Sequence, residues 1–305
     1  MHGRGWYQLA FESELPRAVT PAAVGARRLM VLRLPDGLQV ADAACPHRGA
    51  DLAHGGRIEG EAVVCPFHGF RIGLCGAGEH GLRVCAHRTL ALGGLVLARL
   101  DDGPDNGLEA LLRGLAESRI IVPGFTLRLR AAADMVVENA FDQAHFRPVH
   151  GIGLDGAFRL RSSDRGELGI DGSFELPPSA WQRGRAESAG DGGRVPFRAR
   201  AFSPGLVVSD LGGEHPYTVI TAATPLPEGG CAIRLSLALE RDAEGQPPRP
   251  DLVEFLLRRS REGLEKDRIV WEHRVEGAAP RYTPLDGPVR AFRDFCASFA
   301  AAERP

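Results

Sequence analysis

The sequence predicts an α+β protein: a small antiparallel β domain, then a larger domain with a curved antiparallel sheet and C-terminal helices. Three observations predict it. Short apolar runs cut by Gly and Pro turns fill residues 5 to 100. Alternating segments return between residues 197 and 239. Helical periodicity takes over from Asp251.

In the first part, Leu29 to Leu34 and Leu38 to Ala43 flank Pro35-Asp36-Gly37, a turn signal. Ala62 to Val64, Phe70 to Ile72 and Leu95 to Leu100 follow as strands. Gly76-Ala77-Gly78-Glu79-His80-Gly81 has Gly-x-Gly-x-x-Gly spacing, but a dinucleotide site needs a parallel strand before it and a helix after. Leu82 to Cys85 reads as strand, so a flexible hairpin loop is expected. No other nucleotide fingerprint occurs, so electrons are expected from a separate protein.

Asp101 to Gly107 is a turn-rich linker. With 305 residues to divide, it sets two domains, 1–107 and 108–305. Leu108 to Leu115 suggests a short helix, and Gly190 to Gly193 a mobile loop. Phe197 to Phe202, Leu206 to Leu211, Tyr217 to Thr224 and Ala232 to Leu239 suggest one sheet. Two helices close the chain. Arg159 to Arg165 reads as a solvated strand face.

A net charge of −2 argues against nucleic acid or an anionic membrane as partner, and Lys266 is the only lysine. The N-terminus lacks an apolar core of signal-peptide length, and no run reaches the roughly 18 apolar residues of a membrane span. A cytoplasmic protein is expected. The cysteines at 45, 65, 75, 85, 231 and 296 are scattered, as reduced thiols are. Cys75 and Cys85 are expected to be buried spectators.

Cys45-Pro46-His47-Arg48-Gly49 and Cys65-Pro66-Phe67-His68-Gly69 each join one cysteine to one histidine. Two thiolates and two imidazoles are the ligand set of a Rieske [2Fe–2S] cluster. Cys45 and Cys65 would hold one iron, His47 and His68 the other. A structural Cys₂His₂ zinc site is the rival, but zinc ligands usually come as a cysteine pair before a histidine pair. Pro46 and Pro66 stiffen the loops, while Gly49 and Gly69 let backbone N–H groups approach sulfides.

A second constellation lies downstream. The periodicity predicts a helix over 133–146, with Asn139, Asp142 and His145 on one face. Pro148 would end it, with His150 just beyond. Two histidines need a carboxylate to complete a facial triad for mononuclear Fe(II). Asp267 is the candidate. A helix opening with a capping box, Asp251 to Glu254, carries a stripe of Leu252, Phe255, Leu256, Gly263, Leu264, Val270 and Trp271, and Asp267 falls inside it. A carboxylate on a buried face needs a metal or a partner, a buried arginine being the bland choice.

Asn139-x-x-Asp142-x-x-His145-x₄-His150 resembles the mononuclear-iron motif of Rieske non-haem iron oxygenase α subunits. Glu265 to Glu272 is similar to the segment bearing their aspartate ligand. Gly5-Trp6-Tyr7 and the two Cys/His loops, which lack the extra cysteines of respiratory Rieske proteins, match the N-terminal half. Asp286-Gly287-Pro288-Val289 is most similar to the 3-ketosteroid 9α-hydroxylase and cholesterol 7-desaturase branch. The resemblance implies a Rieske domain before a helix-grip (START-like) catalytic domain, assembled as a homotrimer. It implies that Asp142 couples the cluster of one subunit to the catalytic iron of its neighbour, and that Asn139 lines the iron site. It further implies an NAD(P)H-dependent reductase, directly or through a ferredoxin, O₂, and a small apolar or amphipathic substrate that is hydroxylated, desaturated or dealkylated. Two other classes stay open from the residues alone: an electron carrier whose second domain only docks partners, and a zinc-stapled binding protein.

Overall fold

The computed structural model describes residues 4–74, 76–101, 105–163, 166–175, 193–213, 216–242, 244–275 and 277–300. Cys75, the loop at 190–192 and part of the 101–107 linker lie outside these residues.

The first unit is antiparallel β throughout. Strands β1 (Trp6–Phe11), β2 (Val19–Val24), β3 (Arg27–Leu34), β4 (Gly37–Asp42), β8 (Ala86–Leu92) and β9 (Leu95–Arg99) form one sheet in the order β1-β9-β8-β4-β3-β2. The Pro35-Asp36 turn pairs Leu34 with Gly37, as its residues predict. A smaller sheet, β5 (Arg57–Glu59), β6 (Ala62–Val64) and β7 (Arg71–Gly73), carries the second Cys/His loop between β6 and β7. Met30, Leu32, Leu52, Val63 and Ile72 form the core beneath both loops.

The Gly76–Gly81 stretch holds one short turn, Glu79–Gly81, with no helix after it. It is tied down rather than free: Gly73 and Gly78 N–H groups both donate to the Leu82 carbonyl at 3.0 Å, and the Glu79 carboxylate accepts from Arg71 N–H. The expected strand over 82–85 is reduced to a single parallel bridge, in which Gly73 N–H donates to Leu82 O and Val84 N–H to Gly73 O on either side of Arg83, and β8 starts at Ala86. Cys85 is exposed, not buried.

In the second unit, helix α1 (Leu108–Ser118) leads into β10 (Arg119–Leu129). Strands β11 (Gly153–Leu154), β12 (Arg159–Ser162), β13 (Leu168–Glu175), β14 (Arg194–Ser203), β15 (Leu206–Leu211), β16 (Tyr217–Pro225) and β17 (Cys231–Glu240) complete an antiparallel sheet in the order β10-β17-β16-β15-β14-β13-β11, with β12 also on β13. β14 turns Val195, Phe197, Ala199 and Ala201 inward at the two-residue period of a half-buried strand. β12 is exposed throughout, as a solvated strand face should be. Helices α2 (Ala133–Glu138), α3 (Pro250–Trp271) and α4 (Gly287–Ala297) pack against it.

The expected Asp251–Glu254 capping box does not form. Pro250 takes the first helical position, so Arg249 is the cap and Asp251 sits too far inside to cap; it pairs with Arg249 at 3.3 Å. The two units share one core. β1 is buried along its whole length, and Trp6 packs with Leu90, Leu97, Phe202 and Leu206 against Leu108 and Leu112 of α1. Ser203 Oγ and Thr224 Oγ1 donate to the Trp6 and Gln8 carbonyls at 2.6 and 2.7 Å.

Candidate metal centres

The two Cys/His loops have the same backbone design. Cys45 N–H donates to Ala50 O and Gly49 N–H to Cys45 O; Cys65 N–H donates to Phe70 O and Gly69 N–H to Cys65 O, all between 2.8 and 3.0 Å. Gly49 and Gly69 close these turns at φ +73° and +75°, where a side chain would strain the backbone. Cys45 and Cys65 are buried, their thiols in contact, while His47 and His68 are exposed with ring centroids 4.8 Å apart. Like therefore sits beside like. That sorting fits a cluster with sulfur ligands inward and imidazoles at the tip better than one zinc ion drawing on all four. Burial pushes the Cys45 thiol up, against backbone N–H groups of His47 and Arg48 that would favour its thiolate. Burial also raises Cys65, but the N–H groups of Phe67 and His68 outweigh it, and that thiol lies below its ordinary value.

The helix expected over 133–146 stops at Glu138. Residues 139–145 continue as tight turns, with Ala140 and Phe141 N–H groups reaching back three residues rather than four. Pro148 does not end a helix; it sits inside one wide turn, Phe146–His150, whose last residue is His150. Lacking an N–H, Pro148 cannot join a regular ladder, and the turn widens until Ile152 N–H meets Phe146 O. The kinked path brings His145 and His150 together, ring centroids 5.0 Å apart at 82°.

Asp267 comes to them from α3, 5% exposed. Ligand-type atoms of His145, His150 and Asp267 all lie within 4.8 Å of one another. Its partners are His150 Nε2 at 3.1 Å and Asn139 Nδ2, which donates to Oδ2 at 2.9 Å. No arginine pairs with it among the described residues. His145 Nδ1–H donates to the Asp142 carbonyl at 2.5 Å, which leaves Nε2 as the acceptor, and that Nε2 is buried without a partner. A buried, unpartnered acceptor beside a second imidazole and a carboxylate has the chemistry of a metal ligand. Burial also lowers the His145 pKa, keeping the ring neutral as a ligand must be. The residues fit a 2-His-1-carboxylate Fe(II) centre.

The Asp142 carboxylate accepts from Ala144 N–H at 3.0 Å, and its other oxygen stays 3.9 Å from His145 Nδ1. Gln143, not singled out by the sequence, is 8% exposed; it accepts from Phe158 N–H and donates to Leu285 O, both at 2.8 Å, anchoring the segment just before His145. A lone amide amid Phe141 and Phe146 was its only signal. Helix α3 keeps Leu256, Asp267 and Trp271 inward as expected, but Phe255 and Val270 are exposed. A cavity of about 260 Å³ opens on His150, walled by Phe174, Val195, Leu211 and Tyr217 and by the Leu256–Gly263 face of α3.

Asp42, Cys85 and His87 also converge, but the Arg27 guanidinium lies 3.1 Å from Asp42 and 3.3 Å from His87. A resident cation answers that carboxylate already. Cys231 and Cys296 are buried, and burial lifts both thiols, Cys231 to about 12. No disulfide occurs among the described residues.

Residues 5–91 match the Rieske [2Fe–2S] domain, and residues 117–299 match the 3-ketosteroid 9α-hydroxylase C-terminal domain. The chain belongs to that 3-ketosteroid 9α-hydroxylase family. Cholesterol 7-desaturase of Xenopus laevis is 40% identical over 74 residues, 23% of this chain and only 16% of that protein. The Bombyx mori cholesterol 7-desaturase is 24% identical over 97% of this chain and 69% of its own length. Dicamba monooxygenase bound to 3,6-dichlorosalicylic acid superposes with a TM-score of 0.73 at 17% identity, covering 98% of this chain and 97% of that one. At that identity the likeness is one of fold, and it is a Rieske oxygenase fold over the whole length. The matched Rieske domain implies a [2Fe–2S] cluster, and its span of residues 5–91 includes both Cys/His loops.

Proposed function

We propose that this chain is the oxygenase component of a Rieske non-haem iron monooxygenase. The observation that carries the reading is the buried convergence of His145, His150 and Asp267, with an orphaned imidazole nitrogen, at the end of an apolar cavity. Cys45, His47, Cys65 and His68 would hold the [2Fe–2S] cluster, and His145, His150 and Asp267 the mononuclear Fe(II). Bound iron would supply reductive O₂ activation. The protein's own part is to fix ligands and exclude water. Asn139 holds Asp267 by its Oδ2, and the Asp142 carbonyl sets the His145 tautomer. Phe146, Phe174 and Phe197 pack behind the histidines.

The substrate would be a small apolar or amphipathic, steroid-like molecule, hydroxylated, desaturated or dealkylated. Electrons would come from an NAD(P)H-dependent reductase, directly or through a ferredoxin. The family likeness supports a homotrimer in which Asp142 couples one subunit's cluster to its neighbour's iron. Domains 1–107 and 108–305 would divide these roles, with α1 at their joint. No helix among the described residues is long and apolar enough to cross a membrane, in keeping with a cytoplasmic enzyme. An electron carrier with a docking domain has no use for a buried, unpartnered imidazole.

Metal analysis tests the reading. The ligand sets predict about three irons per chain, two of them with labile sulfide. His145→Ala should fall to about two while keeping the cluster's visible spectrum. A bleached cluster, or two irons in the unaltered protein, refutes the assignment.

A further inference from the structure

The cavity beside His150 has an apolar floor and a charged rim. Phe174, Val195 and Leu256 are buried in its wall, while Arg259, Glu262 and Lys266 of α3 line it and stay exposed. Each of the four arginines of α3 has a partner. Arg259 pairs with Glu262 at 2.7 Å and Arg268 with Glu272 at 3.2 Å, and the Arg258 and Arg261 guanidinium groups lie over the Phe255 and Phe125 rings. Lys266 has no partner among the described residues. Glu262, one turn earlier, is where a helical lysine would find one, but Arg259 already holds it. The three charged rim residues therefore leave one positive charge over.

An exposed ammonium is hydrated and costs nothing by itself; its position singles this one out. Lys266 is the only lysine among 37 lysines and arginines. A guanidinium fork here would compete for Glu262, whereas an ammonium is a compact point charge on a flexible stem. One residue is about 100° round a helix, so as Asp267 turns in to the imidazoles, Lys266 stands on the rim at the same end of the cavity. Gly263, three residues before it, leaves the wall bare, since a Cβ there would meet no atom within 4 Å. An apolar body on the floor with one anionic group at the rim answers both surfaces. A single spare charge suits a carboxylate better than a phosphate dianion. At about 260 Å³ the cavity is small for a ligand site, which calls for a compact body.

We propose that Lys266 is a specificity-determining cation that pairs with the carboxylate of a compact apolar acid, whose rings lie against Phe174, Val195 and Leu256. That acid is a substrate only if the oxygenase reading holds, but its binding does not need turnover.

Iron-loaded protein is titrated calorimetrically with 2-naphthoate and 2-naphthamide, which share a shape and differ in charge. The unaltered protein should prefer the naphthoate. Lys266→Met should weaken naphthoate binding roughly fivefold and leave naphthamide binding unchanged. Salt at about 1 M should shrink the preference by screening the pair. His145→Ala protein, without the mononuclear iron, should keep the preference, which separates Lys266 from coordination of the carboxylate by iron. No saturable naphthoate binding, equal effects of Lys266→Met on both probes, a preference unmoved by salt, or one lost with His145→Ala overturns the proposal. Iron counted on the same preparation separates the two failures. Three irons without dependence on Lys266 sinks this inference alone, whereas two irons with that dependence keeps the anion site and sinks the oxygenase reading.

Discussion

Asp142 offers two different groups to its surroundings. Its carbonyl holds His145 Nδ1–H, and its carboxylate holds Ala144 N–H while remaining about a third exposed. Asp142→Asn keeps an oxygen for Ala144 and leaves the carbonyl untouched. Under the proposed coupling between subunits, both irons should stay bound and turnover with the reductase should fall at least tenfold, because only the carboxylate charge is lost. Loss of the mononuclear iron in that variant, measured by metal analysis, would show the carboxylate to be structural instead.

At the scale of elements, α3 is a compromise between helix stability and the space it borders. Leu256 and Trp271 anchor its ends, Asp267 faces the histidines, and Gly263 faces open volume. Gly263→Ala should raise stability by up to about 1 kcal/mol in a denaturant melt, the usual difference in a helix interior. The wide Phe146–His150 turn is the opposite case, an irregular element around Pro148, entered from a segment that Gln143 anchors to Phe158 and Leu285. Its irregularity is what aims two imidazoles five residues apart at one point.

At the scale of the molecule, the two units are bound through β1 and the loop after it. Glu14 accepts from Thr126 Oγ1 and pairs with Arg234, tying the first unit to β10 and β17. Burial alone would raise the Glu14 carboxyl, but the Thr126 and Phe11 hydrogen bonds and the Arg234 charge hold it below its ordinary value. Its stabilising effect is therefore present above the ordinary carboxylate pKa and is lost as pH falls through the lower folded value. Glu14→Gln should cost about 1 kcal/mol at neutral pH, discounted for partial exposure, and the gap should close in melts carried into acid below the ordinary carboxylate range. A gap unchanged by acid would contradict the pairing. If the assembly is a trimer passing electrons between neighbours, co-expressing His47→Ala with His145→Ala chains should restore roughly a quarter of normal turnover, each homotrimer alone being inactive. No restoration would place the transfer within one chain.

What the sequence determined on its own is local. Each Cys/His loop spans five residues, and its ligands, stiffening proline and turn glycine act within that span, so the motif can be read without the fold. The same holds for the Pro35-Asp36 turn, the alternating β14 to β17 strands and the buried aspartate at 267, which periodicity exposes. Tertiary structure decided the rest, because it turns on partners distant in the chain. Periodicity extended a helix through Asn139 that competing turn bonds and Pro148 broke. Arg249 rather than Asp251 capped α3 once proline took the first position. Only packing could set Asp267 beside His145 and His150 and give Gln143 two anchors. A contact between remote segments depends on the whole chain's compaction, and no short window of residues carries that information.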